Sequence, residues 1–181
     1  RIRVAVRRPD LANHVHIFGS VGQIMPIQAN IRNMASVRRA VAGAGIVINL
    51  VGVSHSRGPQ TFQAVHIDGA GNIATAAREA GVSRLVHMSA LGADAAADVS
   101  QYAKSKLMGE EAVFKAFPDA IVMRPSILFG QGDGFFNLMG ALARLLPVLP
   151  VISGDTRFQP AFVGDVAEAF AQAAEGEVRA G

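Results

Sequence analysis

The chain has no cysteine, no tryptophan and one tyrosine in 181 residues. Without cysteine there is no disulfide scaffold, no thiolate metal site and no cysteine nucleophile. That usage is compatible with a reducing compartment. Histidine does not fill the gap. His14, His16 and His55 show no metal-ligand spacing with carboxylates, so no metal site is expected. Charge is sparse as well, at 17% of residues, while half the chain is hydrophobic. That balance excludes a disordered tail. Long apolar runs are also missing. The best candidate, Ala141 to Ile152, is interrupted by Arg144, Pro147 and Pro150 and is too short to span a bilayer. Neither a transmembrane segment nor a signal peptide is expected. The net charge of +3 reflects arginines at 1, 3, 7 and 8 and again at 32, 38 and 39. No aromatic residues interleave with them, which argues against a nucleic-acid partner.

What is present is an abundance of Ala, Val, Ile and Gly, which fits a sheet buried on both faces. Arg1 to Arg7 reads as a strand stopped by Arg8-Pro9-Asp10. Ile24 to Ala29, Ile46 to Val51, Arg84 to Met88 and Ala120 to Met123 are further strands, and Phe158 to Val163 is extended. Between them lie helical stretches at Met34 to Ala42, Gln60 to Ala80, Ser100 to Phe117, Phe135 to Leu146 and Asp165 to Ala174. Gly81 is a C-terminal stop for the second and Ser100 an N-cap for the third. Ala90 to Val99 and Gly130 to Gly134 are loops. Alternating strands and helices predict an α/β fold with a parallel sheet and helices on both faces.

The strongest chemical signal is Tyr102-Ala-Lys104-Ser-Lys106. A Tyr and a Lys at i and i+4 share one helix face. An ammonium beside the phenol favours the phenolate, so the Tyr102 pKa is expected to fall below its usual value of about 10. Such a tyrosine exchanges a proton with a carbonyl or alcohol oxygen. Ser89 ends the preceding strand, and the carboxyl ends of parallel strands carry the ligand groups of α/β sheets. The competing reading of the pair is a solvated helix face with Lys106 supported by Glu110.

Ser89, Tyr102 and Lys106 resemble the catalytic Ser-Tyr-Lys set of the short-chain dehydrogenase/reductase superfamily. The stretches VSRLVHMSALGAD, YAKSKLMGEEAVFKAFPDAIVMRPSILFGQGDGFFN and FQPAFVGDVAEAFAQAAE are similar to a narrower, atypical branch, NAD-dependent epimerase/dehydratase-like. That branch includes the NADPH-binding accessory subunit of respiratory complex I and its bacterial relatives. The resemblance runs from Arg1 to about Glu175. It implies a Rossmann-like doubly wound sheet in a single domain over residues 1–181, with part of a small substrate-covering region at its end. It implies Tyr102 as acid/base, Lys106 as ligand of the nicotinamide ribose, and Ser89 as the group that orients a substrate carbonyl. Arg7 and Arg8 follow the strand that meets the adenosine ribose, where arginine favours NADP over NAD. Gly52 would let the backbone approach the cofactor. Pro125 and Ser126 would lie near the nicotinamide amide. His66 stands where extended relatives often carry Asn, and is read as a packed or hydrogen-bonded helix residue.

One part of the pattern is missing. A Gly-x-x-Gly-x-x-Gly phosphate loop should connect a first strand to a first helix just before Arg1. Gly19 and Gly22 neither follow a convincing strand nor open a helix. The first strand should lie between those at Arg1–Arg7 and Ile46–Val51, and without it both present unpaired edges. The natural protein is therefore expected to carry about 25 to 30 further residues upstream, the length of a βα unit. That leaves room for a targeting segment too.

Two functions compete, beside a third, a non-catalytic NADP sensor or regulator, that no residue specifically supports. The first is NAD(P)-dependent oxidoreduction, or epimerase-like oxidation, of a small carbonyl, alcohol or quinone substrate. The second is a non-catalytic NADPH-binding subunit of a respiratory complex, with Phe135-Phe136 and the proline-broken Leu145 to Val151 facing a partner or membrane. The corresponding locations are the cytoplasm, the periphery of the inner membrane, or the mitochondrial matrix.

Overall fold

The computed structural model describes residues 1–146, 148, 155 and 157–176. Residues 147 and 149–151 of the expected apolar, proline-broken stretch lie outside the described residues. The strands are β1 (Ile2–Val6), β2 (Ile24–Gln28), β3 (Ile46–Asn49), β4 (Arg84–Met88), β5 (Ile121–Met123), β6 (Leu128–Phe129) and β7 (Ala161–Phe162). The helices are α1 (Met34–Val41), α2 (Asp68–Glu79), α3 (Gln101–Ala116), α4 (Phe136–Leu145) and α5 (Val163–Glu175). Every strand pair is parallel.

The layers follow from β4. Its neighbours point to opposite faces, as pleating requires. Leu85 packs among Val37 of α1, Ile73 and Ala77 of α2 and Val113 of α3. Val86 packs with Ile121 and with Phe170 and Ala173 of α5. Helices therefore cover both faces of this sheet, as in a doubly wound domain. α2 approaches α3 through small residues, among them Gly71 against Ala112. The ends of the helices are set locally. Ser100 Oγ accepts the Ala103 N–H at 3.2 Å, and Gly81 adopts φ +68° after α2.

Two departures from expectation matter for the site. The stretch expected to be helical from Gln60 begins instead with a π-helical turn, Gln63–Ile67, before α2. A Cβ at Gly109 would collide with the His66 carbonyl, so α3 passes this turn only because residue 109 has no side chain. The sheet is also not continuous. β1 pairs with β2, β3 with β4 and β4 with β5, while β6 and β7 form a separate pair. Among the described residues, β1 and β3 each pair on one side only. Ile2, Ile46 and Ile48 are correspondingly exposed despite their strand positions.

Candidate active site

The carboxyl ends of β3 and β4 and the first turns of α3 flank an open cavity of about 420 Å3. It is lined by Leu50, Gly52, Val53, Ser54, Met88, Ser89, Tyr102 and Lys106. Ser89, Tyr102, Lys106 and Gly52, singled out from sequence, are thus brought together. Ser89 follows β4 directly, with its N–H bonded to Met123 O at 2.7 Å. Its hydroxyl is buried and has no hydrogen-bond partner among the described residues. A buried hydroxyl without a partner is costly, and a ligand oxygen in the cavity would satisfy it.

Lys106 is 5% exposed and donates from Nζ to Met88 O at 2.7 Å. Burial draws its pKa down to about 8, against a smaller opposing pull from Glu110. Lys106 is therefore withdrawn from solvent, while Tyr102 one turn earlier is 38% exposed. Nor is Glu110 the hydrogen-bond partner of Lys106. It is buried and held bidentately by Arg124, at 2.9 and 2.6 Å. Arg124 also reaches Asp94 at 2.9 Å, which ties the loop after β4 to α3. The Glu110 hydrogen bond is the leading cause that raises the Arg124 pKa.

The expectation of a lowered Tyr102 pKa is corrected. Burial raises it, and no neighbouring charge offsets the rise. The Lys106 ammonium is directed at the Met88 carbonyl, so it stabilises that oxygen and leaves the phenol near its neutral form.

His66, in the π-helical turn, is buried and hydrogen bonded at both ring nitrogens. Val53 N–H donates to Nε2 at 3.0 Å, and Nδ1 lies 2.8 Å from Ser105 Oγ. Ser105 Oγ donates its own proton to Tyr102 O at 2.7 Å. The proton on His66 must therefore sit on Nδ1. Its ring stacks on Phe62 and meets Tyr102 edge to face, at centroid distances of 5.3 and 5.5 Å. Burial, then the Lys106 charge, lowers its pKa to about 4, so it is neutral at pH 7.

The remaining expected residues lie outside the cavity lining. Pro125 and Ser126 follow β5, where Pro125 O accepts the Leu91 N–H at 2.9 Å. Arg7 and Arg8 follow β1. Arg8 is paired with Asp10 at 2.7 Å on the surface, whereas Arg7 is exposed and bonded to no described residue. Sequence reasoning missed the roles of Asn49, Arg124 and Ser105. Arg124 alone left a signal, a charge placed immediately after a buried strand. Among the described residues no group of three or more His, Asp or Glu could hold a metal, and no helix is long and apolar enough to cross a membrane.

Parallel strands covered on both faces, with polar groups gathered at their carboxyl ends, define a Rossmann-like domain of the short-chain dehydrogenase/reductase type. The comparisons place it further. The RmlD substrate binding domain model matches residues 23–181, and the chain belongs to that family. It is 36% identical over 161 residues to the rat mitochondrial NADH dehydrogenase (ubiquinone) 1 alpha subcomplex subunit 9, covering 88% of this chain and 42% of that one. It is 35% identical over 167 residues to the ceramide reductase of Caulobacter vibrioides, covering 92% and 51%. The chain thus spans about half or less of the length of these relatives. The Bacillus anthracis dTDP-4-dehydrorhamnose reductase, solved in complex with NADP, shares the fold with a TM-score of 0.73 at 19% identity, over 98% of this chain and 72% of that one. The expected atypical branch is therefore the right one.

Proposed function

We propose that this chain forms most of one NADP-binding domain, residues 1–181, of an oxidoreductase acting on a carbonyl or alcohol. The observation that carries the reading is the convergence of the unpartnered Ser89 hydroxyl, Tyr102 and buried Lys106 on one cavity at the strand ends. The residues fit a nicotinamide nucleotide. Lys106 offers an ammonium to a ribose hydroxyl, and Gly52 leaves room for close backbone approach, since a Cβ there would lie 3.9 Å from Lys106 Nζ. Arg7 and Arg8 would meet the 2′-phosphate of NADP. Arg7 is the readier of the two, because Arg8 must first leave Asp10. Pro125 and Ser126 stand at the end of β5, where the nicotinamide amide would be held.

Bound there, the nucleotide supplies or accepts the hydride. In the reducing direction Ser89 Oγ donates a hydrogen bond to the substrate carbonyl oxygen, and the Tyr102 phenol gives that oxygen its proton. A raised pKa keeps the Tyr102 phenol protonated at neutral pH but weakens it as an acid, so the approach of the Lys106 ammonium, which has donors beyond the one given to Met88 O, would bring it nearer the working range. The substrate class is a small carbonyl, alcohol or quinone.

A second reading is an NADPH-binding accessory role in a respiratory complex, on the mitochondrial matrix side or at the bacterial inner membrane. Similarity to the mitochondrial subunit favours it, as does the exposed cluster of Phe129, Phe135, Phe136, Phe158 and Phe162 around α4. The test is the rate of NADPH release from the full-length protein after dilution into excess competitor. Release within seconds supports an exchanging cosubstrate. Retention for hours supports the accessory role, and no binding overturns both.

A further inference from the structure

Three buried side chains outside the proposed proton transfer meet beneath one loop. Asn49, His66 and His87 are 3%, 3% and 2% exposed. Asn49 ends β3. Its Nδ2 donates to His87 Nδ1 at 2.9 Å, which aims its Oδ1 at the Val51 N–H, 3.1 Å away. His66 Nε2 accepts the Val53 N–H at 3.0 Å, and its Nδ1–H is anchored on Ser105. Alternate amides of the loop 50–54 are thus held by buried side chains of two different elements. The Gly52 amide between them is bonded to no described residue. A Cβ on Gly52 would meet His66 Nε2 at 3.5 Å and Lys106 Nζ at 3.9 Å, so the loop lies directly against both groups.

We propose that His66 and Asn49 are positioning residues that clamp the 50–54 loop, presenting the Gly52 backbone to a hydroxyl or carbonyl of the nucleotide beside Lys106. The proposal rests on the nucleotide reading above. A clamp of this kind costs no ordering of the loop when the ligand arrives. It also requires one tautomer, because only an unprotonated Nε2 can accept from Val53. His66 makes this contact from within the π-helical turn Gln63–Ile67, a local irregularity of the kind that often accompanies functional sites.

The test uses three substitutions in the full-length natural protein. His66→Gln keeps an acceptor near the Nε2 position. His66→Asn is too short to reach Val53. His66→Phe keeps the ring contacts with Phe62 and Tyr102 and loses both hydrogen bonds. The expected result is Val53 amide exchange at least about tenfold faster, and NADPH affinity about tenfold weaker, in the Asn and Phe variants. The Gln variant keeps both near wild type. Unchanged Val53 protection and affinity in His66→Phe overturns the clamp, as does a Gln variant as impaired as Phe. Should the Asn and Phe variants not fold, 15N chemical shifts of His66 in the unmodified protein decide. A protonated Nδ1 with a bare Nε2 supports the clamp, and the opposite tautomer overturns it. If the unmodified protein binds no NADPH, the nucleotide reading fails, while amide exchange and the tautomer still judge the clamp.

Discussion

β4 and β1 are strands of equal length and similar apolar content, Arg84–Met88 and Ile2–Val6, yet they live in different surroundings. β4 has a strand on each side and helices over both faces, and its central residues Leu85 and Val86 are fully buried. Among the described residues β1 pairs with β2 alone, and Ile2 is 54% exposed. The same contrast separates the two parts of the candidate site. Around β4, Lys106, His66, Ser89 and Glu110 are buried, and Lys106, His66 and Glu110 make specific hydrogen bonds while the Ser89 hydroxyl has none among the described residues. Beyond β1, Arg7 and Arg8 stand in water. A strand sequence thus states its preference for burial, and its neighbours decide whether that burial is achieved. Charges in the first region can be held in place and tuned, while those in the second, on the proposed reading, would act mainly by attraction to a ligand.

The largest effect should come from the β4 side. Tyr102→Phe removes the proposed proton donor and keeps the ring against Phe62 and His66, so turnover should fall by about a thousandfold with NADPH affinity nearly unchanged. Steady-state rates and nucleotide titration on one preparation check this. Equal turnover would remove Tyr102 from the chemistry.

Next in size is a test of the packing contrast itself. Leu85→Ala opens a cavity between β4 and the helices and should cost about 3 kcal/mol in urea unfolding. Ile2→Ala, at a half-exposed position, should cost less than about 1 kcal/mol. A cost for Ile2→Ala that matches Leu85→Ala in the natural protein would mean that further structure covers β1.

Much of this arrangement was legible in the sequence because it is local. Strand periodicity, Ser100 as a cap and Gly81 as a stop each depend on a few adjacent residues, and Tyr102 and Lys106 share a helix face by spacing alone. Ser89 was legible because strand ends are where parallel sheets place polar groups. The polar contacts between distant elements were not. Asn49 with His87, His66 with Val53 and Glu110 with Arg124 are set by tertiary placement, and no periodicity encodes them. The reversed Tyr102 shift has the same origin. Helical spacing brings Lys106 to the right face, but a carbonyl from β4 takes its ammonium.

Those hidden contacts have a pH signature of intermediate size. His66 and His87 both have pKa values lowered to about 4, chiefly by burial, from an ordinary value of 6.5. Between the two values the unfolded chain binds protons that the folded chain refuses, so stability rises with pH across this window and falls as pH drops through it. Each histidine should contribute a slope approaching about 1.4 kcal/mol per pH unit. Urea unfolding between pH 5 and 6.5 isolates this from most carboxylate titration. His87→Phe should flatten the slope by roughly half, and a flat profile in the unmodified protein would show that neither ring is held neutral.

The smallest effect belongs to the exposed side, and it is one of selectivity. Arg7→Ala should weaken NADP binding about tenfold and leave NAD binding unchanged, since only the 2′-phosphate gains from the guanidinium. Arg8→Ala should do less, because the ion pair with Asp10 competes for the same group. Asp10→Asn releases Arg8 and should tighten NADP binding slightly, again without effect on NAD. Titrations of both nucleotides at low and high salt separate the outcomes, because an exposed cation loses its pull as ionic strength rises. A loss of NAD and NADP affinity in equal proportion would mean that Arg7 supports the turn after β1 and does not read the phosphate. The contrast between a tuned, buried side and a merely attractive, exposed one would then have to be redrawn.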